Sequence, residues 1–240
     1  MEVAPGVHHF TRYNFNWYVV EDDGGLTVID AGFPGHYRLL VAGLASIDRT
    51  VHDVEAVIVT HAHADHTGFA RRLSAESGAP VYVHKDDAAQ VRRPLYLPWP
   101  GLLSHAWRPY TASMLTHAVV NGLARLPRIP APRPVDDADV LDAPGRPRVI
   151  YLPGHTPGSI VVHLPERGLL FTGDALVTRD LYTGRDGDPQ LTAPSLNGDY
   201  TQAARSLNRL EDLGEVILLS GHGRPWTGTA RDAVAAARGC

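Results

Sequence analysis

The stretch Thr60 to His66 constrains this chain more than any other. It reads T-H-A-H-A-D-H and directly follows the apolar run Ala56-Val57-Ile58-Val59. Three histidines and an aspartate lie within six residues, and imidazole with carboxylate is a donor set that Zn²⁺, Fe²⁺ and Mn²⁺ accept. In extended chain His61 and His63 point to the same side, because side chains repeat every second residue. Asp65 and His66 follow, where Thr67-Gly68 opens a helix-like stretch. A chain turning there sends one pair of donors to one metal ion and the other pair to a second. The bland alternative is an accidental histidine cluster, and the donors found downstream weigh against it.

Three further apolar runs end in glycine and a metal-capable residue. Val149-Ile150-Tyr151-Leu152 leads to Pro153-Gly154-His155-Thr156-Pro157-Gly158. Leu169-Leu170-Phe171 leads to Thr172-Gly173-Asp174, and Val216-Ile217-Leu218-Leu219 to Ser220-Gly221-His222-Gly223. Glycine lets the backbone turn sharply, and a strand end holds a donor rigidly. One such histidine alone would be an ordinary loop residue; three of these runs beside the quartet at 61–66 point to a shared centre. His61, His63 and His155 are expected to hold one metal ion and Asp65, His66 and His222 the other, with Asp174 and a water or hydroxide as bridges. Each ion would keep an open position, as catalysis requires.

The rest of the chain gives an alternating pattern. A β-meander is expected over 7–30, with Glu21 to Gly25 as a turn. Helices are expected over 36–47 and 67–77, the second closed by Gly78, and strands at 56–60 and 80–83. Asp30 ends the third strand of the meander, either as a turn residue or in support of the metal ligands. From Lys85 to Asp139 the pattern changes: 94–110 is rich in Pro and aromatics (Tyr96, Trp99, Trp107, Tyr110), an apolar helix covers 114–123, and a proline-rich break runs from 127 to 134. This segment is expected to be a helical insertion over the site that supplies an apolar wall for substrate, with a dimer contact or simple surface packing as the alternative. Strands are expected at 139–142, 148–152, 160–164, 169–172 and 215–219, helices at 199–213 and 228–238, and a long loop at 177–197.

A net charge of −4 gives no electrostatic case for nucleic acid or an anionic membrane. No apolar run approaches the ~20 residues of a membrane span. The lone cysteine, Cys240, excludes an intrachain disulfide and a cysteine-based zinc site. With no secretory signal visible, a cytoplasmic location is expected. The length suits one large domain or two small ones.

The T-H-x-H-x-D-H, G-H-T-P-G-S, G-D and G-H elements, in this order and each after a strand, resemble the metallo-β-lactamase superfamily, from the Asp30 strand to His222. The resemblance implies an α/β fold, a four-layer αβ/βα sandwich with metals at one edge, as a single domain over 1–240 with the 85–139 segment inserted. It implies two divalent cations per chain, Zn²⁺ first and Fe or Mn as alternatives, and a small-molecule substrate. The bridging Asp174 is similar to that of glyoxalase II-like thioesterases and lactonases, whereas true β-lactamases lack it. Glyoxalase II carries a helical domain after the last histidine, for which the residues after His222 are too few. Lactonases place a tyrosine just after the bridging aspartate; Ala175-Leu176-Val177 stand there instead, leaving Tyr182 as the nearest candidate substrate-binding residue. Relatives that process RNA need a basic exosite, and only scattered pairs such as Arg71-Arg72 and Arg92-Arg93 are present.

The reading that follows is a binuclear hydrolase cleaving an ester-type bond (lactone, ester or thioester) with a metal-bridging hydroxide, on a substrate with an apolar arm. Asp65 is the catalytic candidate, holding the water and taking up its proton. The alternative is an oxidoreductase resembling persulfide dioxygenases, with one iron on His61, His63, His155 and Asp174. A β-lactamase, a phosphodiesterase, and a non-catalytic scaffold rank below these.

Overall fold

The computed structural model describes residues 1–93 and 99–239. Of the features singled out above, Tyr96, the side chain of Trp99 and Cys240 lie outside the described residues. The chain opens with antiparallel strands β1 (Glu2–Ala4), β2 (Val7–Arg12), β3 (Phe15–Asp22) and β4 (Gly25–Ile29). The β2–β3 and β3–β4 hairpins turn on the two-residue loops Tyr13-Asn14 and Asp23-Gly24, all four with positive φ. That geometry matches the right-handed twist of the flanking strands. Then follow α1 (Tyr37–Ala45), β5 (Val54–Ile58), α2 (Ala64–Thr67), α3 (Ala70–Ser77), β6 (Val81–His84) and α4 (Ala88–Arg92). The insertion contributes α5 (Trp99–Ser104), α6 (Pro109–Val120) and β7 (Arg133–Val135). The second half runs β8 (Arg148–Tyr151), β9 (Ile160–Leu164), β10 (Leu169–Gly173), β11 (Val177–Arg179), β12 (Asp186–Gln190), α7 (Tyr200–Ser206), β13 (Glu215–Ser220), β14 (Trp226–Thr229) and α8 (Ala230–Arg238).

Among the described residues, β1 to β7 form one sheet in sequence order, and a second has the order β14-β13-β10-β9-β8. Period-two alternation sorts the core into layers. Trp17, Val19, Val28, Val57 and Val59 pack outward under Leu40 and Leu44 of α1 and Leu73 of α3. Tyr18, Val20, Ile29 and Ile58 face inward, against Val149, Ile160, Val162, Leu169, Phe171 and Leu219 of the second sheet. That sheet's other face, Val161, Leu170 and Leu218, is covered by Leu207, Leu210, Ala233 and Val234. The result is a four-layer αβ/βα sandwich. Among the described residues no helix is long and apolar enough to cross a membrane.

Several expectations need correction. Residues 139–142 are no strand; Val140 makes one isolated bridge to Arg148 and is 55% exposed. The proline-rich break ends in a strand: β7 pairs in parallel with β6, and Pro134, which has no N–H to donate, is tolerated because β7 is an edge. The expected loop 177–197 contains the β11–β12 hairpin. The expected helix 67–77 is split into α2 and α3, and Gly78 closes α3 in the left-handed region at φ 82°. The helix over 199–213 stops being α-helical at Ser206 and continues as a 3₁₀ turn, Leu207–Leu210. The last helix starts at Ala230 because Trp226–Thr229 pair with β13, and Thr229 Oγ1 caps it by accepting the Asp232 N–H at 3.0 Å.

Candidate metal centre

Seven side chains converge where the two sheets meet at one end. His61, His63, His155 and Asp174 form one group and Asp65, His66 and His222 another; within each, the candidate ligand atoms lie within 4.8 Å of one another. In the first group, His61 Nε2 and His155 Nε2 lie 3.1 Å and 3.0 Å from His63 Nδ1. Asp174 reaches both groups: Oδ2 is 3.5 Å from His155 Nε2 and 3.2 Å from His222 Nε2, and Oδ1 is 3.4 Å from His66 Nε2. Asp65 Oδ2 sits 3.6 Å from His66 Nε2 and 3.4 Å from His222 Nε2.

The far nitrogen of each Nε2 donor is held by a partner. His66 Nδ1 donates to Asp30 Oδ2 at 2.7 Å, and His222 Nδ1 donates to the Asn14 carbonyl at 2.8 Å. His61 Nδ1 meets Thr60 Oγ1 at 3.1 Å, and that hydroxyl donates in turn to Asp30. His155 Nδ1 faces Thr192 Oγ1 at 3.3 Å. A proton kept on Nδ1 leaves the Nε2 lone pair for a cation. Asp30 itself has φ 62°, a left-handed conformation that aspartate tolerates better than most residues; there its carboxylate also accepts the Thr60 N–H at 2.8 Å. Two glycines are required by close approach. A Cβ at Gly173 would overlap Thr60 Oγ1, and one at Gly221 would overlap Asp174 Oδ1 and His66 Cε1.

The electrostatics suit cations. Burial, with neighbouring imidazoles adding to it, pushes His155 down to about 3 and His61 well below its usual value. Burial also brings His63 down to about 4, so all three stand neutral, as ligands must. His66 and His222 behave oppositely. Burial opposes their charge, but Asp30, Asp174 and Asp65 lift His66 well above its usual range, and Asp174 and Asp65 raise His222 to about 10. Asp65 is held at about 2 by His66 and His222 despite burial, and Asp174 falls well below its usual value by the same pairing. Two carboxylates thus face two imidazoles that keep protons until a cation replaces them. His66 Nε2 and His222 Nε2 are buried and reach these carboxylates without hydrogen-bond geometry, which fits donors aimed at a metal ion.

Asp87 had no signal in the sequence beyond its place in the Lys85-Asp86-Asp87 run. It is fully buried and joins the two loops of the first group. Its Oδ2 accepts the Ala62 N–H at 2.8 Å and the Thr156 hydroxyl at 2.7 Å, and Oδ1 accepts the Gly158 N–H at 2.8 Å. Only the tertiary fold brings residue 87 beside residues 62 and 156–158. Tyr182, the candidate substrate residue, does not line the cavity. Its hydroxyl bonds Ser195 Oγ at 2.8 Å and its ring stacks on His105 at 3.8 Å, so it packs the 177–197 segment, the outer loop, against the residue that follows α5.

Above the donors lies an apolar cavity. Its floor is His63, Asp65, His155, Asp174 and His222. Phe15 and Phe33 form one wall; the insertion supplies Leu102, Met114, Leu115, Ala118 and Leu123, and the outer loop adds Leu181 and Leu196. The insertion also turns apolar side chains outward, Trp107 and Val120 among them.

The architecture and the donor set define a metal-binding protein of the αβ/βα class. The family model of the metallo-beta-lactamase superfamily matches residues 11–222. The chain is 28% identical to a Bacillus subtilis (strain 168) protein described as probable metallo-hydrolase YflN, over 95% of this chain and 87% of that one. Among solved structures, it is similar to the metallo-beta-lactamase family protein TTHA1429 from Thermus thermophilus, with TM-score 0.70, 25% identity, and coverage of 98% of this chain and 79% of that one. It is also similar to TTHA1623, solved in a di-iron-bound form, with TM-score 0.59, 26% identity, and coverage of 92% and 93%. The chain belongs to the metallo-beta-lactamase superfamily.

Proposed function

We propose that this protein hydrolyses an ester-type bond (lactone, ester or thioester) of a small molecule, using two divalent cations, Zn²⁺ in first place. The observation that carries the reading is the pair of donor groups sharing Asp174 on the floor of one apolar cavity. Two cations held there would lower the pKa of a shared water and polarise the carbonyl of the substrate. Asp65, whose Oδ2 lies beside His222 and which lines the cavity, is placed to hold a proton at that oxygen and would pass it from an attacking water to the leaving group. The imidazoles are fixed by Asp30, Thr60, Asn14 and Thr192, so no reorganisation is needed as charge develops. The hydrocarbon walls keep bulk water from the carbonyl.

The second donor group favours two ions over one. His66 and His222 each have a dedicated Nδ1 acceptor, an arrangement that a centre using only His61, His63, His155 and Asp174 would not need. The test is metal content by mass spectrometry beside a panel of acyl esters, lactones and thioesters. Two ions per chain with turnover of an acyl substrate is the expected result, and Asp65→Asn should lower kcat by about 100-fold or more while folding normally. One iron per chain with oxygen uptake and no hydrolysis would overturn the reading.

A further inference from the structure

The cavity wall has a composition that its metal floor does not dictate. Apart from the donors themselves, every described side chain lining it is hydrocarbon or thioether. No lysine, arginine, hydroxyl or amide side chain is among the described lining residues. Leu102, Met114, Leu115 and Ala118 come from the helical insertion, and Leu181 and Leu196 from the outer loop, so two separate segments converge on one chemistry.

From this we infer that the acyl arm of the substrate is uncharged and apolar, and that the enzyme rejects acyl arms ending in a carboxylate. The inference rests on the hydrolase reading above and narrows its substrate class. An anionic group carried into this wall would leave water with no hydrogen-bond donor to receive it, and an unpaired buried charge is costly. Cations held by the seven donors would supply positive charge at the centre, where the scissile carbonyl has to sit. A carboxylate drawn there would place the ester bond out of reach. With an apolar arm the ester docks in one sense only: hydrocarbon against Met114 and Leu115, carbonyl over Asp65 and Asp174. Water then adds its oxygen to the acyl carbon, the bond from that carbon to the alkoxy oxygen breaks, and the water's proton leaves on the alcohol. The products are a carboxylic acid and an alcohol.

The test uses metal-loaded enzyme and two probes of nearly equal shape, p-nitrophenyl butyrate and p-nitrophenyl hemisuccinate, which differ by a terminal methyl against a carboxylate. The butyrate is expected to exceed the hemisuccinate in kcat/KM by about 30-fold or more, since burying an unpaired carboxylate against a wall without donors costs far more than burying a methyl group. Leu115→Arg, at a half-buried position of the wall, is expected to narrow that ratio by about tenfold, a comparison made within one protein. Leu181→Arg, also half-buried, makes the same test from the opposite segment should the first variant misfold. Equal kcat/KM for the two probes would overturn the inference and leave the hydrolase reading standing. A strong preference that neither arginine variant moves would also overturn it, because the discrimination would then arise elsewhere. Failure to hydrolyse both probes and every ester, lactone and thioester of the panel would remove the hydrolase reading and this inference with it.

Discussion

Asp87 accepts hydrogen bonds from Ala62, Thr156 and Gly158, so a residue that touches no ligand atom sets the separation of His61, His63 and His155. Asp87→Ala leaves buried N–H groups unpaired and is expected to cost about 3 kcal/mol of stability. The variant should also lose the ion of the first donor group before that of the second, which is anchored on Asp30 and Asn14 instead. Metal stoichiometry after dialysis, read beside a urea melt, checks both parts. Equal loss from both groups would mean that the clamp supports the fold generally and not this half of the centre. The ligands were legible because each follows an apolar run and a glycine or lies in one short string. Asp87 was not, because its importance exists only once three distant segments have met.

At the scale of elements, α6 is docked by a pair of imidazoles. The Phe33 N–H donates to His36 Nδ1 at 3.2 Å, so His36 carries its proton on Nε2 and donates it to His117 Nε2 at 2.9 Å. His117 stacks on Tyr13 and Phe15, and its own helix supplies Met114 and Ala118 to the cavity. Burial, with His117 adding to it, brings His36 down to about 4 from an ordinary value of 6.5. The folded state therefore binds fewer protons than the unfolded chain between those two values. This contribution is fully present above pH 6.5 and is lost as pH falls toward 4. Going from pH 7 to pH 5, the metal-loaded protein is expected to lose on the order of 1–2 kcal/mol more than His36→Gln does. Parallel slopes in urea titrations at the two pH values would contradict this. The insertion that α6 belongs to was visible as a change of pattern, but its packing was not. Proline at the edge strand β7 and Gly and Asp in the β11–β12 region hid strands that depend on neighbours for their pairing. In the other direction, the alternation at 139–142 looked like a strand, but it meets the edge strand β8 through one isolated bridge only.

For the molecule as a whole, metal and protons compete for the same place. His66 and His222 are held in their charged forms by Asp30, Asp65 and Asp174. Loading cations at neutral pH is expected to release about two protons per chain, and apparent affinity should rise with pH. Titration calorimetry in buffers of different ionisation enthalpy measures that release. No proton release would mean that the two imidazoles are neutral before loading. Chelation should correspondingly lower the melting temperature, and re-addition of metal should restore it.

The donors divide by chain half: His61, His63, Asp65 and His66 follow β5 of the first sheet, while His155, Asp174 and His222 follow strands of the second. On the ribosome the first four emerge together, and His222 appears roughly 150 residues after them, on the order of 10 s at cellular elongation rates. During that interval the nascent chain displays a metal-binding string without its last imidazole, and for most of it without the bridge Asp174 as well. A complete centre therefore has to wait for the second half of the fold: an ion bound early would have only the donors of the first half until His155, Asp174 and His222 have followed.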